Sequence, residues 1–161
     1  EIVLSLPYGP FKLSGTADRI DVLKDGSVQI IDYKTGTVPS VKEVHAGFAP
    51  QLPLEAYILT QGGFENVQSR EVADLSYWKL SGKTNGSKIT SLLGKNDKNL
   101  DSLIIKSAEG VKALIHTFDD ENTPYESCPV PEKAPKYNDY EHLSRAKEWL
   151  NADDDEDEDY E

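Results

Sequence analysis

Residues 15–34, GTADRIDVLKDGSVQIIDYK, hold the pattern from which the fold is read. Lys24-Asp25-Gly26-Ser27 separates two stretches of alternating apolar residues, and Asp-Gly in that setting predicts a β-hairpin. Side chains alternate along a strand, so Asp32 and Lys34 share one face of the second strand and Tyr33 takes the other. Val28 and Ile30 join the face of Asp32, and Gln29 and Ile31 join that of Tyr33. Two largely apolar faces predict a strand inside a sheet with cover on each side. Closing the hairpin lets Asp18 or Asp21 approach Asp32.

Two carboxylates and an ammonium on adjacent strands suit phosphoryl chemistry. Carboxylate oxygens bind Mg²⁺ or Mn²⁺, which keep several waters and leave room for phosphate oxygens. Such a cation lowers the pKa of a bound water and neutralises charge growing on phosphorus. Lys34 would orient that water or stabilise the pentacovalent phosphorane. The plainer interpretation is an Asp32–Lys34 ion pair at a strand edge, with Asp18 and Asp21 on solvated turns. These residues alone leave both interpretations open.

Three runs carry a resemblance. They are GTADRID at 15–21, IIDYKTG at 30–36 and PQLPLEAY at 50–57. Together they resemble the RecB-like branch of the PD-(D/E)XK nucleases, and within it the C-terminal nuclease domain of the AddB type. The resemblance implies an α/β, restriction-endonuclease-like core: a central mixed sheet of about four strands flanked by helices. It puts the metal carboxylates on Asp18 and Asp32, a metal-binding backbone carbonyl on Tyr33, the catalytic lysine on Lys34 and an assisting amide on Gln51. Arg19 and Asp21 look like strand-supporting members of the motif, with Asp21 a second candidate partner of the metal site. The family motif usually has a tyrosine four residues after the glutamine; here that position is Glu55, and the tyrosine is Tyr57.

The resemblance also implies Mg²⁺ as cofactor, with Mn²⁺ as a substitute, and DNA as substrate. The expected activity is hydrolysis of phosphodiester bonds at double-strand breaks in the bacterial cytoplasm, beside an AddA-type helicase–nuclease subunit that uses ATP. Some AddB-type domains hold an iron–sulfur cluster on four cysteines; the single Cys128 predicts none from this chain and points to a reducing compartment. Two rival functions fit the same residues: a nuclease-fold scaffold or DNA-binding module without turnover, and a metal-dependent phosphohydrolase acting on small nucleotides.

The 161 residues suffice for one compact domain with a core, and no apolar run reaches membrane-spanning length. The net charge of −12 sits badly with a nucleic-acid partner until its location is considered. Eight acidic residues fall in the tail Asp153–Glu161, DDDEDEDYE, which leaves −4 on the rest. The expected organisation is a nuclease domain over 1–150, read as a fragment of a larger protein, followed by a disordered acidic tail over 151–161. The opening EIVLSL reads as a strand already under way, with the usual first core helix lying upstream of Glu1.

Further along, Phe11 to Leu23 reads as one long strand. Ser40 and Glu43 have capping-box spacing before a short helix from Val41 to about Phe48, which carries His45, a surface residue or a phosphate contact. Pro50 opens a second helix to about Thr60, with Leu52, Glu55, Ala56 and Leu59 on one stripe. Val72 to Leu80 reads as a strand in which Trp78 either fills the core or stacks on a base. Residues 81–98, with Lys83, Lys88, Lys95 and Lys98, read as a flexible basic excursion. An amphipathic helix follows from Leu100 to about Phe118. A proline-rich stretch from Asp119 to Pro135 leads to a final helix from Asp139 to Leu150, whose DYxHLxRxxEW pattern also resembles the AddB type.

Overall fold

The structure is a computed structural model that describes residues 1–68, 70–82, 86–93, 100–126, 128–130 and 143. The chain divides into two units, Glu1–Glu121 and Asn122–Glu161. In the first, the elements run β1 (Ile2–Leu6), β2 (Gly9–Leu13), β3 (Arg19–Val22), β4 (Val28–Lys34), α1 (Val41–His45), α2 (Gln51–Thr60), β5 (Val72–Lys79), β6 (Lys88–Ser91) and α3 (Leu100–Phe118). In the second, residues 122–126 and 128–130 form no helix or strand. The acidic tail and, apart from Leu143, the expected last helix lie outside the described residues, as do Lys83, Lys95 and Lys98.

The β3–β4 hairpin forms as its turn chemistry dictates. Leu23 N–H donates to Ser27 O at 2.8 Å, Gly26 takes φ +88°, and the Asp25 carboxylate accepts from Ser27 N at 3.0 Å and Ser27 Oγ at 2.6 Å. β4 then pairs in parallel with β5, Ile30 facing Leu75 and Asp32 facing Tyr77, and β5 pairs antiparallel with β6. The result is a mixed four-stranded sheet, β3-β4-β5-β6, with β1 and β2 in a separate two-stranded sheet. This is the α/β architecture that the resemblance implied.

The core lies on one sheet face. Val28, Ile30, Leu75 and Tyr77 pack there with Leu52, Ala56 and Leu59 of α2 and Leu100, Leu103 and Ile104 of α3. Burying each large aliphatic side chain contributes about 1.5–3 kcal/mol, which is what holds α2 against the strand that carries Asp32. The α3 stripe is used only in part: Leu114 and Phe118 are exposed.

The expected strand over 11–23 is two strands with a break. Residues 14–18 leave the sheet because Gly15 passes under α2, where a Cβ would stand 3.3 Å from Ile58 Cδ1 and 3.6 Å from Glu55 Cγ. In the hairpin register Tyr33 N–H would next meet Ala17 O; instead it donates to Asp18 Oδ2 at 2.9 Å. The Asp18 side chain thus takes over a ladder position, and β3 begins only at Arg19. The expected excursion over 81–98 contains β6, because Ser91 Oγ donates to Asp74 and Leu92 is buried with its N–H on Leu75 O at 2.8 Å. The capping box at Ser40 and Glu43 forms, but α1 closes at His45, where Gly47 takes φ +84°.

Candidate active site

Alternation along β4 delivers Asp32 and Lys34 to the face covered by α2, and α2 brings Gln51 and Glu55 there from consecutive turns. Lys34 Nζ donates to Asp32 Oδ1 at 3.0 Å and to Gln51 Oε1 at 3.1 Å, and lies 2.8 Å from Asp32 Oδ2. The Gln51 amide is oriented from both ends. Its oxygen accepts from the ammonium while its nitrogen donates to Asp32 Oδ1 at 2.7 Å and Glu55 Oε1 at 3.1 Å. One amide therefore ties two carboxylates on different elements.

Both carboxylates are buried, Asp32 with 2% of its surface exposed and Glu55 with 4%. Each keeps one oxygen, Asp32 Oδ2 and Glu55 Oε2, that accepts no hydrogen bond; Oδ2 has only the Lys34 ion-pair contact. Burial pushes the Glu55 carboxyl above the usual carboxylate range; its hydrogen bond from Gln51 opposes this and the charges of Asp32 and Asp18 add to it. Burial, with Asp32 and Glu55 nearby, likewise raises the Tyr77 phenol to about 12. Its hydroxyl is a third buried group without a partner.

Buried carboxylate oxygens under a helix, Glu55 Oε2 without a partner and Asp32 Oδ2 with the Lys34 ammonium alone, are of the kind a hard divalent cation takes. Among the described residues no three His, Cys, Asp or Glu side chains are already grouped as a metal site. Asp18 accepts from Tyr33 N–H through one oxygen, and it and Asp32 are carboxylates of the type that would hold such a cation.

Asp32, Lys34 and Gln51 are thus brought together, and Asp18 stands beside Tyr33 at the end of β3. The side chains of Tyr33 and Asp21 leave for the opposite sheet face. There Arg19 Nε donates to Asp21 Oδ1 at 2.8 Å and Arg19 Nη1 to Tyr33 OH at 3.2 Å. Asp21 is therefore a support for Arg19 and not a partner of the carboxylate cluster. Trp78 joins that face half-buried, with the Arg19 guanidinium 5.6 Å from its ring centre and Tyr33 edge-on at 6.0 Å. His45 lies elsewhere, lining a cavity of about 290 Å³ with Leu103 and Lys106. Tyr57 sits under Lys112, whose ammonium is 5.7 Å from its ring centre.

Glu55 is the residue that sequence reasoning passed over as a functional group. The signal was present: it is an acid in the apolar stripe Leu52, Glu55, Ala56 and Leu59, where a charge is costly unless something uses it.

Comparison with known proteins follows the same line. A sequence profile of the PD-(D/E)XK nuclease superfamily matches residues 1–132. An uncharacterized protein of Rickettsia conorii is 41% identical over 69 residues, 43% of this chain and 8% of that protein. One of Rickettsia typhi is 44% identical over 69 residues with the same coverage. The chain thus spans less than a tenth of these curated relatives. No solved structure matches. With the profile covering most of its length and its paired carboxylate and lysine held on one strand under a glutamine-bearing helix, the chain belongs to the PD-(D/E)XK nuclease superfamily.

Proposed function

We propose that this chain is a Mg²⁺-dependent DNA nuclease domain that hydrolyses phosphodiester bonds. The observation that carries the reading is the Lys34 ammonium held between Asp32 and Gln51 at the mouth of a buried carboxylate pair. Superfamily membership supports nuclease chemistry, and nucleases of this superfamily generally use divalent metal ions. Asp18 and Asp32, with the backbone carbonyl of Tyr33, would hold the cation, which when bound supplies an acidified water and charge neutralisation at phosphorus. Lys34 positions the attacking water or meets the developing phosphorane charge, and Gln51 keeps the ammonium and carboxylate in register.

A row of lysines supports a polymeric substrate. Lys34 faces Lys79 across β4–β5, and Lys79 faces Lys88 across β5–β6. Like charges opposite one another destabilise a sheet, and a phosphodiester backbone running over the row would relieve that repulsion. The motif resemblance supports the finer assignment: an AddB-type domain processing double-strand-break ends in a bacterial cytoplasm beside an AddA-type helicase subunit.

The test is cleavage of linear duplex DNA with Mg²⁺, before and after Asp32→Ala and Lys34→Ala. Both substitutions are expected to lower the rate by about 10³-fold. Cleavage untouched by either would sink the assignment, no cleavage by the unaltered protein would favour a scaffold role, and turnover of nucleotides without turnover of DNA would favour a small-molecule phosphohydrolase.

A further inference from the structure

We propose that Glu55 is a carboxylate ligand of the divalent cation, supplied by α2 from the position where the family motif has a tyrosine. The inference rests on the metal-centre reading above and adds a residue that the motif does not assign.

The argument begins with what Glu55 costs. It is almost fully buried, it lies near two further carboxylates, Asp32 and Asp18, and Gln51 Nε2 is its one hydrogen-bond donor. Its second oxygen has none. A buried carboxylate in that state destabilises the fold, and Gln or Leu in its place would remove the cost. The Lys34 ammonium offsets little of it, because that cation is spent on Asp32 and Gln51.

Three further observations place the Glu55 side chain beside the site of chemistry. First, Gln51 donates through one nitrogen to Asp32 Oδ1 and Glu55 Oε1, so the two carboxylates flank the same amide. Second, Asp32 Oδ2 is also buried and has the Lys34 ammonium as its one polar contact, so beside that amide Glu55 Oε2 is the carboxylate oxygen left with no partner. Third, α2 approaches the chain before Asp18 at Gly15, where a Cβ would lie 3.6 Å from Glu55 Cγ. A buried carboxylate oxygen without a donor, beside further carboxylates whose charge repels it, is what a hard dication neutralises. A tyrosine at this position could neither lend that charge nor feel that repulsion.

Mn²⁺ binding to the full chain tests this without reference to turnover. The loss of the free Mn²⁺ paramagnetic resonance signal would be titrated for the unaltered protein, Glu55→Gln and Asp32→Asn in the absence of DNA, with melting temperatures taken in chelator and in Mn²⁺. Glu55→Gln keeps shape and an acceptor for Gln51, so it is expected to fold. It should weaken Mn²⁺ binding by about tenfold or more and lose most of the Mn²⁺-dependent rise in melting temperature. In chelator its melting temperature should equal or exceed that of the unaltered protein. Affinity within about twofold of the unaltered protein, while Asp32→Asn abolishes binding, would overturn the role of Glu55 and leave the metal centre standing. Unchanged affinity in both variants would overturn both.

Discussion

The two faces of the β4–β5 pair carry polar clusters of similar size and opposite character. On the face away from the helices, Gln29 Nε2 donates to Asp74 Oδ2 at 2.9 Å and Ser76 Oγ at 3.1 Å, Trp78 Nε1 donates to Ser76 Oγ at 3.2 Å, and Ser91 Oγ donates to Asp74 Oδ1. Arg19 there serves Asp21, Tyr33 and Trp78 at once. On the helix-covered face the carboxylates are almost fully buried and less well served. Among the described residues four buried side-chain atoms lack a hydrogen-bond partner, and three of them belong to Asp32, Glu55 and Tyr77. A satisfied polar network stiffens a sheet; a buried one left unsatisfied is a cost that persists where function needs it.

The contrast breaks most sharply when the chemistry is removed from the covered face. The double substitution Asp32→Asn with Lys34→Met replaces an ion pair with a buried carboxylate and a half-buried ammonium by near-isosteres. Cleavage should fall by about 10³-fold, equivalent to about 4 kcal/mol of transition-state stabilisation. Metal-free stability in urea should stay within about 1 kcal/mol of the starting value or rise. A large loss of stability would mean that the pair holds the fold.

The opposite face should answer in the reverse sense. Asp74→Ala strands the donors of Gln29 and Ser91 and is expected to cost about 1–3 kcal/mol of stability, read as a lower urea midpoint. Cleavage per folded molecule should not change. A rate loss with retained stability would show that this face also serves the reaction.

The smallest effect is expected at Tyr77. Its phenol is raised from 10.0 to about 12 by burial and neighbouring carboxylates. The unfolded chain therefore releases this proton at lower pH than the folded one, so stability is lost as pH rises from about 10 toward 12. Tyr77→Phe should flatten that alkaline decline in thermal melts and, since the hydroxyl has no partner, change stability at neutral pH by about 1 kcal/mol or less. A decline that persists in the variant would place its origin elsewhere.

Much of the site was legible before any coordinates. Strand alternation put Asp32 and Lys34 on one face, Asp-Gly set the hairpin, and Ser40 with Glu43 capped α1, because each depends on residues within one turn of each other. Gln51 and Tyr33 came from the motif and not from any local pattern. The break at Asp18 could not be read, since it depends on a carboxylate meeting the N–H of Tyr33, fifteen residues away. β6 was hidden for the same reason: Lys88-Ile89-Thr90-Ser91 reads as an excursion until β5 offers it an edge.

The sequence by itself determined which side chains share a face, where the turns fall and which family pattern the chain carries, because those follow from short-range geometry and residue type. Only the tertiary structure decided that Asp21 leaves the site, that Tyr57 faces Lys112, and that Glu55 stands beside Gln51 with an oxygen unserved. Those outcomes turn on how α2 packs across the parallel β4–β5 pair, a contact between segments far apart in the chain that no local periodicity encodes.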